Sequence, residues 1–452
     1  MNQERFDVLI DSIGKLARRG ATAHALNILE KMRPVEVAAV LKALQGRPRE
    51  ATFAGLAERD PEKAAESLSE LGPEFVRELL EPLPVDRTLQ LLAALSKDDA
   101  AGLVDELPEP LRTELLERLQ DEHASDVQEL LNFHTETAGR IMTPDFFALG
   151  EDVTVSEAIA ALQKRSEDFE MSFYVYVVDE RSHLLGVVNM RQLLLNSPST
   201  PLRKFMSTDV IKVTTATDQE EVARLVANYN LIALPVVDAE NRLVGIVTVD
   251  DIIDVIKEEA TEDIYALAGV EADDRATGSS WQSVRSRLPW LLISLGTALL
   301  AAAVVNAYRD VIGSAIVLAV LMPVVLAMGS NAATQSMTVV VRSIGLENLV
   351  WSVGVRVIVK EVTVAALNGA VIGLLAGLAG WLWFSSLRVG VVIAVALLLN
   401  TMVGGLVGAL VPITLKRMRV DPAIASNVFV ITLTVIVGLV IYLWMGRLLL
   451  AN

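Results

Sequence analysis

Two stretches of this chain carry side chains out of keeping with their surroundings, and each is suited to handling a cation. The first runs from Pro323 to Ser336, PVVLAMGSNAATQS, and sets Asn331 and Gln335 inside a strongly apolar region. Hydrocarbon solvates neither amides nor the backbone groups that a proline frees, so such residues persist at membrane depth only against protein or a water-filled path. Pore lining accounts for them; a polar helix–helix contact is the alternative. The second stretch holds Asp254, Glu258 and Glu262 at i, i+4 and i+8, with Glu259 and Asp263 beside them and Lys257 as the one nearby base. Like charges at that spacing repel by a few tenths of a kcal/mol per pair. A divalent cation would supply the missing positive charge, and hard carboxylate oxygens suit Mg²⁺ or Ca²⁺. Carboxylates solvated and screened by salt are the alternative.

Both stretches need helices to hold them. The acids fall on a helix predicted near Asp251 to Ala268, where Ile252, Ile256, Ala260, Ile264 and Leu267 form the apolar face. The amides fall in the second of five apolar stretches long enough to span a bilayer, predicted near 288–308, 313–341, 356–384, 390–415 and 424–450. With the N-terminus inside, Arg285, Arg287, Arg342, Arg356, Lys360, Lys416, Arg417 and Arg419 lie at cytoplasmic ends, against Arg309, Arg388 and Arg447 outside. That excess predicts an N-in, C-out protein of the cell membrane, in contact with lipid. Gly369, Gly373 and Gly377, with Gly404 and Gly408, have the spacing of close helix contacts.

Charge divides the chain in the same place. Beyond residue 280 there are four acids and eleven Lys/Arg, so the first part is near −24 and the second near +7. The first value excludes a basic nucleic-acid binder, and an acidic soluble part on a basic membrane part suits cation handling. With no cysteine there are no disulfides, thiolate metal sites or cysteine nucleophiles. Four scattered histidines make no zinc cluster, no catalytic constellation is present, and the polar start MNQERFDVLI lacks a signal-peptide core.

Residues 1–130 read as short helices punctuated by prolines such as Pro34, Pro61, Pro73, Pro84 and Pro108, predicting an all-α superhelical stack. Beyond them a duplication appears. Val177-Val178-Asp179 precedes Gly186-Val187-Val188 as Val236-Val237-Asp238 precedes Gly245-Ile246-Val247, and Met142-Thr143-Pro144-Asp145 and Met206-Ser207-Thr208-Asp209 open the two copies. This resembles a tandem pair of cystathionine-β-synthase-type (CBS) modules, an α/β regulatory domain that often binds adenosine nucleotides. By that resemblance Thr248 and Asp251 would meet the phosphate and ribose of ATP. A plain N-terminal helix cap by Thr248 or Asp250 is the alternative.

The whole order resembles the MgtE family of magnesium channels. Ala138-Gly139-Arg140-Ile141-Met142-Thr143, Glu258-Glu259-Ala260-Thr261-Glu262-Asp263, Gly329-Ser330-Asn331-Ala332-Ala333-Thr334-Gln335 and Asp421-Pro422-Ala423-Ile424-Ala425-Ser426-Asn427 carry the likeness. It implies a multi-domain protein: an all-α superhelical N-terminal domain (1–130), an α/β tandem CBS domain (131–250), an acidic connecting helix and linker (251–284) and an α-helical five-span transmembrane domain (285–452). It further implies a homodimer that conducts divalent cations, Mg²⁺ foremost, and is no enzyme. Mg²⁺ on cytosolic acids would compact the N-terminal, CBS and connecting regions and shut the pore. Asp250, Asp254, Glu258, Glu259 and Glu262 are the sensor residues the resemblance implies. One departure stands out: Val435 occupies the last-span position where the family typically has a pore aspartate. Asn331, Gln335, Asn400, Ser426, Asn427, Thr432 and Thr434 then remain, with Val435, as the expected lining. Neutral oxygens discriminate less between divalent and monovalent ions. A membrane-anchored Mg²⁺ or nucleotide sensor that conducts poorly, or a homologue of altered selectivity, is the alternative reading.

Overall fold

The computed structural model describes residues 3–119, 121–164, 173–270, 280–346, 351–418, 420 and 422–450. It divides into two units, Met1–Lys257 and Glu258–Asn452. Asp421 and Glu347 lie outside the described residues.

The first unit opens with ten helices among the described residues: α1 (Gln3–Arg18), α2 (Thr22–Leu29), α3 (Pro34–Ala43), α4 (Arg47–Arg59), α5 (Pro61–Ser69), α6 (Pro73–Leu80), α7 (Val85–Leu92), α8 (Lys97–Asp105), α9 (Glu109–Arg118) and α10 (Asp121–Asn132). Prolines start them because a first-turn residue has no intrahelical use for its N–H. Pro34, Pro61 and Pro73 are first residues of α3, α5 and α6, and Asp60 caps α5 by accepting from the Lys63 N–H at 3.2 Å. Contacts skip one helix, α1 to α3 to α5 to α7 to α9 and α2 to α4 to α6, which winds the helices into the expected superhelical stack. Leu29, Leu41, Phe53, Leu56 and Leu68 are fully buried along its axis.

The CBS pair follows with α11 (Ala138–Ile141), β1 (Ala148–Gly150), α12 (Val155–Lys164), β2 (Tyr174–Val178), β3 (Leu184–Asn189) and α13 (Met190–Leu195). The second copy contributes β4 (Val213–Thr214), α14 (Gln219–Tyr229), β5 (Ala233–Val237), β6 (Leu243–Thr248) and α15 (Val249–Leu267). Each copy makes a three-stranded sheet, β1-β2-β3 or β4-β5-β6, whose first pair is parallel and second antiparallel. The repeated aspartates close the hairpins. Asp179 accepts from the Arg181 and His183 N–H groups, and Asp238 from those of Glu240 and Arg242, at 2.8 to 3.0 Å. The repeated glycines admit the partner copy. Thr143 bridges to Ile246 and Ser207 to Val187, so each copy's opening phrase lies along the other's last strand. A Cβ on Gly245 would stand 2.7 Å from the Met142 sulfur, and one on Gly186 2.8 Å from that of Met206.

In the second unit α15 ends where Gly269 turns to φ +73° and the Val270 N–H reaches back to the Tyr265 carbonyl at 3.0 Å. Its last turn packs Ala266 and Leu267 among Ala333, Met337, Val341 and Val430. Then come α16 (Ser280–Ala307), α17 (Arg309–Ser314), α18 (Val317–Leu346), α19 (Trp351–Phe384), α20 (Leu387–Arg417) and α21 (Pro422–Leu449). Among the described residues, five of these are long and apolar enough to cross a membrane. The chain is a multi-pass membrane protein. The helix α20 is central and touches α18, α19 and α21. The glycine pattern explains how: a Cβ on Gly373 would meet the Ala394 carbonyl at 2.5 Å, and one on Gly404 the Gly329 carbonyl at 2.6 Å. Missing side chains bring backbones into contact where lipid and leucine are equally apolar.

Candidate cation sites

The acid column lies on α15 as expected. Asp250 and Asp254 belong to the first unit and Glu258, Glu259 and Glu262 to the second. Residues four apart on one helix rise by roughly 6 Å, so the column alone cannot wrap an ion. Its partners in the first unit come from the start of α8. Asp98 and Asp99 face Asp250, Asp251 and Asp254 closely enough for their charges to act on one another. Lost hydration, then the charge of Asp98, push the Asp251 carboxyl up to about 8. Asp99 is raised by the same loss of hydration and by Asp250 and Asp254, although Ser69 donates to it at 3.3 Å. Among the described residues no three acids converge on a single coordination point.

Basic residues hold the neighbouring contacts. The Lys97 ammonium, first in α8, donates to Asp126 of α10 at 2.6 Å and to Asp145 of the CBS opening phrase at 2.8 Å. Arg140 pairs with Asp105 at 3.0 Å. Asp254 itself pairs with Lys257 at 2.6 Å.

The expected nucleotide residues are engaged with each other: the buried Thr248 hydroxyl donates to an Asp251 carboxyl oxygen. The matching positions of the first copy, Asn189 and Gln192, form a reciprocal cap at 2.8 and 2.9 Å, so a carboxyl stands there only in the second copy.

In the membrane unit the expected lining residues separate into two groups. Asn331 and Gln335 are exposed on α18, and with Thr334 and Thr338 they form one stripe at i, i+3, i+4 and i+7. Asn427 is half-buried at the start of α21, and a Cβ on Gly269 would come 3.9 Å from its Nδ2, placing it beside the end of α15. The side chain of Ser426 lies outside the described residues. Thr432, half-buried, donates back to the Val428 carbonyl at 2.6 Å. Asn400 and Thr434 differ from expectation. Both are 1% exposed, and Asn400 Nδ2 donates to the Val325 carbonyl at 2.7 Å, a contact between α20 and α18 rather than part of an open wall. Val435 packs beside the apolar cluster of Leu318, Val325, Ile393 and Leu439.

Three family descriptions match along the chain: "Divalent cation transporter" (MgtE) over 322–445, "MgtE intracellular N domain" over 32–136, and "CBS domain" over 138–198 and 202–258. The magnesium transporter MgtE of Thermus thermophilus is 39% identical over 329 residues, covering 72% of this chain and 73% of that protein. Those of Enterococcus faecalis and Bacillus subtilis are 36% and 35% identical, over 71% and 76% of each chain. The chain belongs to the MgtE family. Its first part is also similar to a crystal structure of the cytosolic domain of the Mg²⁺ channel MgtE in complex with ATP. That likeness has a TM-score of 0.51 and 38% identity, and covers 54% of this chain and 99% of that one. The soluble part of a magnesium transporter gives a TM-score of 0.50 at 30% identity, over 56% and 99%.

Within this MgtE chain, sequence reasoning left open the partners of the acids expected to sense Mg²⁺. Asp98 and Asp99 carried a local signal, an acidic first turn on a helix whose first residue is a lysine, but many helices here begin with acids. Thr334 and Thr338 were legible in principle, since they share the helical stripe of Asn331 and Gln335.

Proposed function

We propose that the chain is a homodimeric channel or transporter for divalent cations, with Mg²⁺ as the main cargo. The observation that carries this reading is the exposed stripe Asn331, Thr334, Gln335 and Thr338 on an otherwise apolar membrane helix. The Thr338 hydroxyl is satisfied within the helix by the Thr334 carbonyl at 2.9 Å, but two amides facing acyl chains would be strongly disfavoured, so we read the stripe as facing water and a second copy of the chain. Asn427 extends that polar face onto α21. The names of the relatives, magnesium transporters at 35–39% identity, support the cargo. The balance of basic residues supports cytoplasmic N-terminal domains and an outside C-terminus.

Gating rests on the acids. Asp98 and Asp99 face Asp250, Asp251 and Asp254, where lost hydration first and neighbouring carboxylates second raise the carboxyls of Asp99 and Asp251. Mg²⁺ bridging these residues stabilises the compact arrangement by its higher affinity for it. The remaining acids of the column, Glu258, Glu259 and Glu262, carry that signal along α15 to its last turn, which rests on α18 and α21 beside the stripe. ATP at Thr248 and Asp251 would require their mutual hydrogen bond to open; the ATP complex of a related cytosolic domain supports such a site.

Mg²⁺ entry into liposomes carrying the purified protein tests the reading. Saturable flux is expected, reduced at least severalfold by Gln335→Leu. Absence of flux in the wild type, with flux appearing in Val435→Asp, would instead favour a sensor that has lost conduction. The neutral, apolar setting of Val435 supports that second reading.

A further inference from the structure

Asn400 has a different task from the one its amide suggests. It lies at the junction of α18, α20 and α21 with 1% exposure, and its Nδ2 donates to the Val325 carbonyl at 2.7 Å. The junction is shaped around it: an added Cβ on Gly329 of α18 or Gly438 of α21 would overlap the Asn400 amide. Its Oδ1 is buried without a hydrogen-bond partner, held against Gly438. Gly329 opens the polar phrase, and the stripe begins two residues later at Asn331.

The remainder of the α18–α20 seam is close-packed on small residues, with the buried Ser336 against Gly408. Gly404 and Gly408 of α20 lie against the backbone of Gly329, Ala333 and Met337. Small-residue packing sets how closely the backbones approach, and at the start of α18 the Tyr442 hydroxyl of α21 donates to the Leu318 carbonyl at 2.9 Å. Asn400 supplies the directional bond nearest the polar phrase, and a bond from a buried amide to one carbonyl constrains the rotation of the helix there. We infer that Asn400 is a positioning residue: it fixes the rotation of α18 so that Asn331, Thr334, Gln335 and Thr338 face the aqueous path. The inference rests on the pore reading of that stripe.

The absence of native cysteine makes a direct test practical. Single substitutions Asn331→Cys, Thr334→Cys, Gln335→Cys and Thr338→Cys, with flanking Ser330→Cys and Ala332→Cys, are labelled in proteoliposomes by a membrane-impermeant cationic thiol reagent. The same set is then repeated with Asn400→Ala. In the native background the stripe labels severalfold faster than the flanks; equal or no labelling there would defeat the pore reading itself. With Asn400→Ala the contrast is expected to collapse, the stripe slowing and a flank gaining. An unchanged pattern overturns the inference, because a residue that only adds stability would not rotate the labelled face. Should Asn400→Ala fail to reach the membrane, the double variant Asn400→Ala, Gly438→Ala refills the vacated space with a methyl and lacks only the bond. A native labelling pattern in the double variant equally overturns the inference.

Discussion

Resemblance alone places Asp251 as a candidate nucleotide contact; the fold sets it against Asp98 and joins it to the Thr248 hydroxyl. Its folded pKa of about 8 lies above the ordinary 3.8, so the folded state holds a proton that the unfolded chain releases. The stabilisation from that proton is complete below about pH 4 and is lost as pH rises through about 8. Thermal melting of the detergent-purified protein in chelator should show the cytosolic transition falling between pH 5 and 9. Asp251→Asn should flatten that dependence, because an amide needs no proton to sit there.

At the scale of elements, the start of α8 carries opposite instructions in consecutive residues. Lys97 draws α10 and the CBS opening phrase together through Asp126 and Asp145, and Asp98 and Asp99 repel α15. Removing the ammonium leaves two partly buried acids facing each other. Lys97→Ala should cost about 2 kcal/mol, seen as a lower denaturation midpoint of the cytosolic transition, and Lys97→Arg should retain most of it. The paired CBS sheets follow the same logic of exchanged contacts. Gly186 and Gly245 are small because Met206 and Met142 arrive from the other copy, a requirement that neither copy reveals alone.

At the scale of the whole molecule, the proposed gating would run through α15, which carries the expected sensor acids and whose last turn rests on α18 and α21. If Mg²⁺ closes the protein through these acids, it should slow protease cleavage between α15 and α16, and alanine at Glu258, Glu259 and Glu262 together should abolish that protection. Persistence of that protection would remove these three acids from the sensor.

The sequence by itself determined the element types, the duplication, the five spans and the two unusual stretches, because period, proline placement and buried-polar cost are local properties. Thr143 and Met142 were recognisable as a motif, yet only the fold paired them with Ile246 and Gly245 of the other copy. Asn331 and Asn400 look alike in sequence, each an amide among apolar residues. Tertiary structure separated them, exposing Asn331 and enclosing Asn400 between Gly329 and Gly438. Likewise, nothing local joins Asp98 to Asp251 across more than 150 residues. Which side chain meets which, and so which amide is exposed and which is enclosed, is decided by contacts between segments, and only the folded chain holds those.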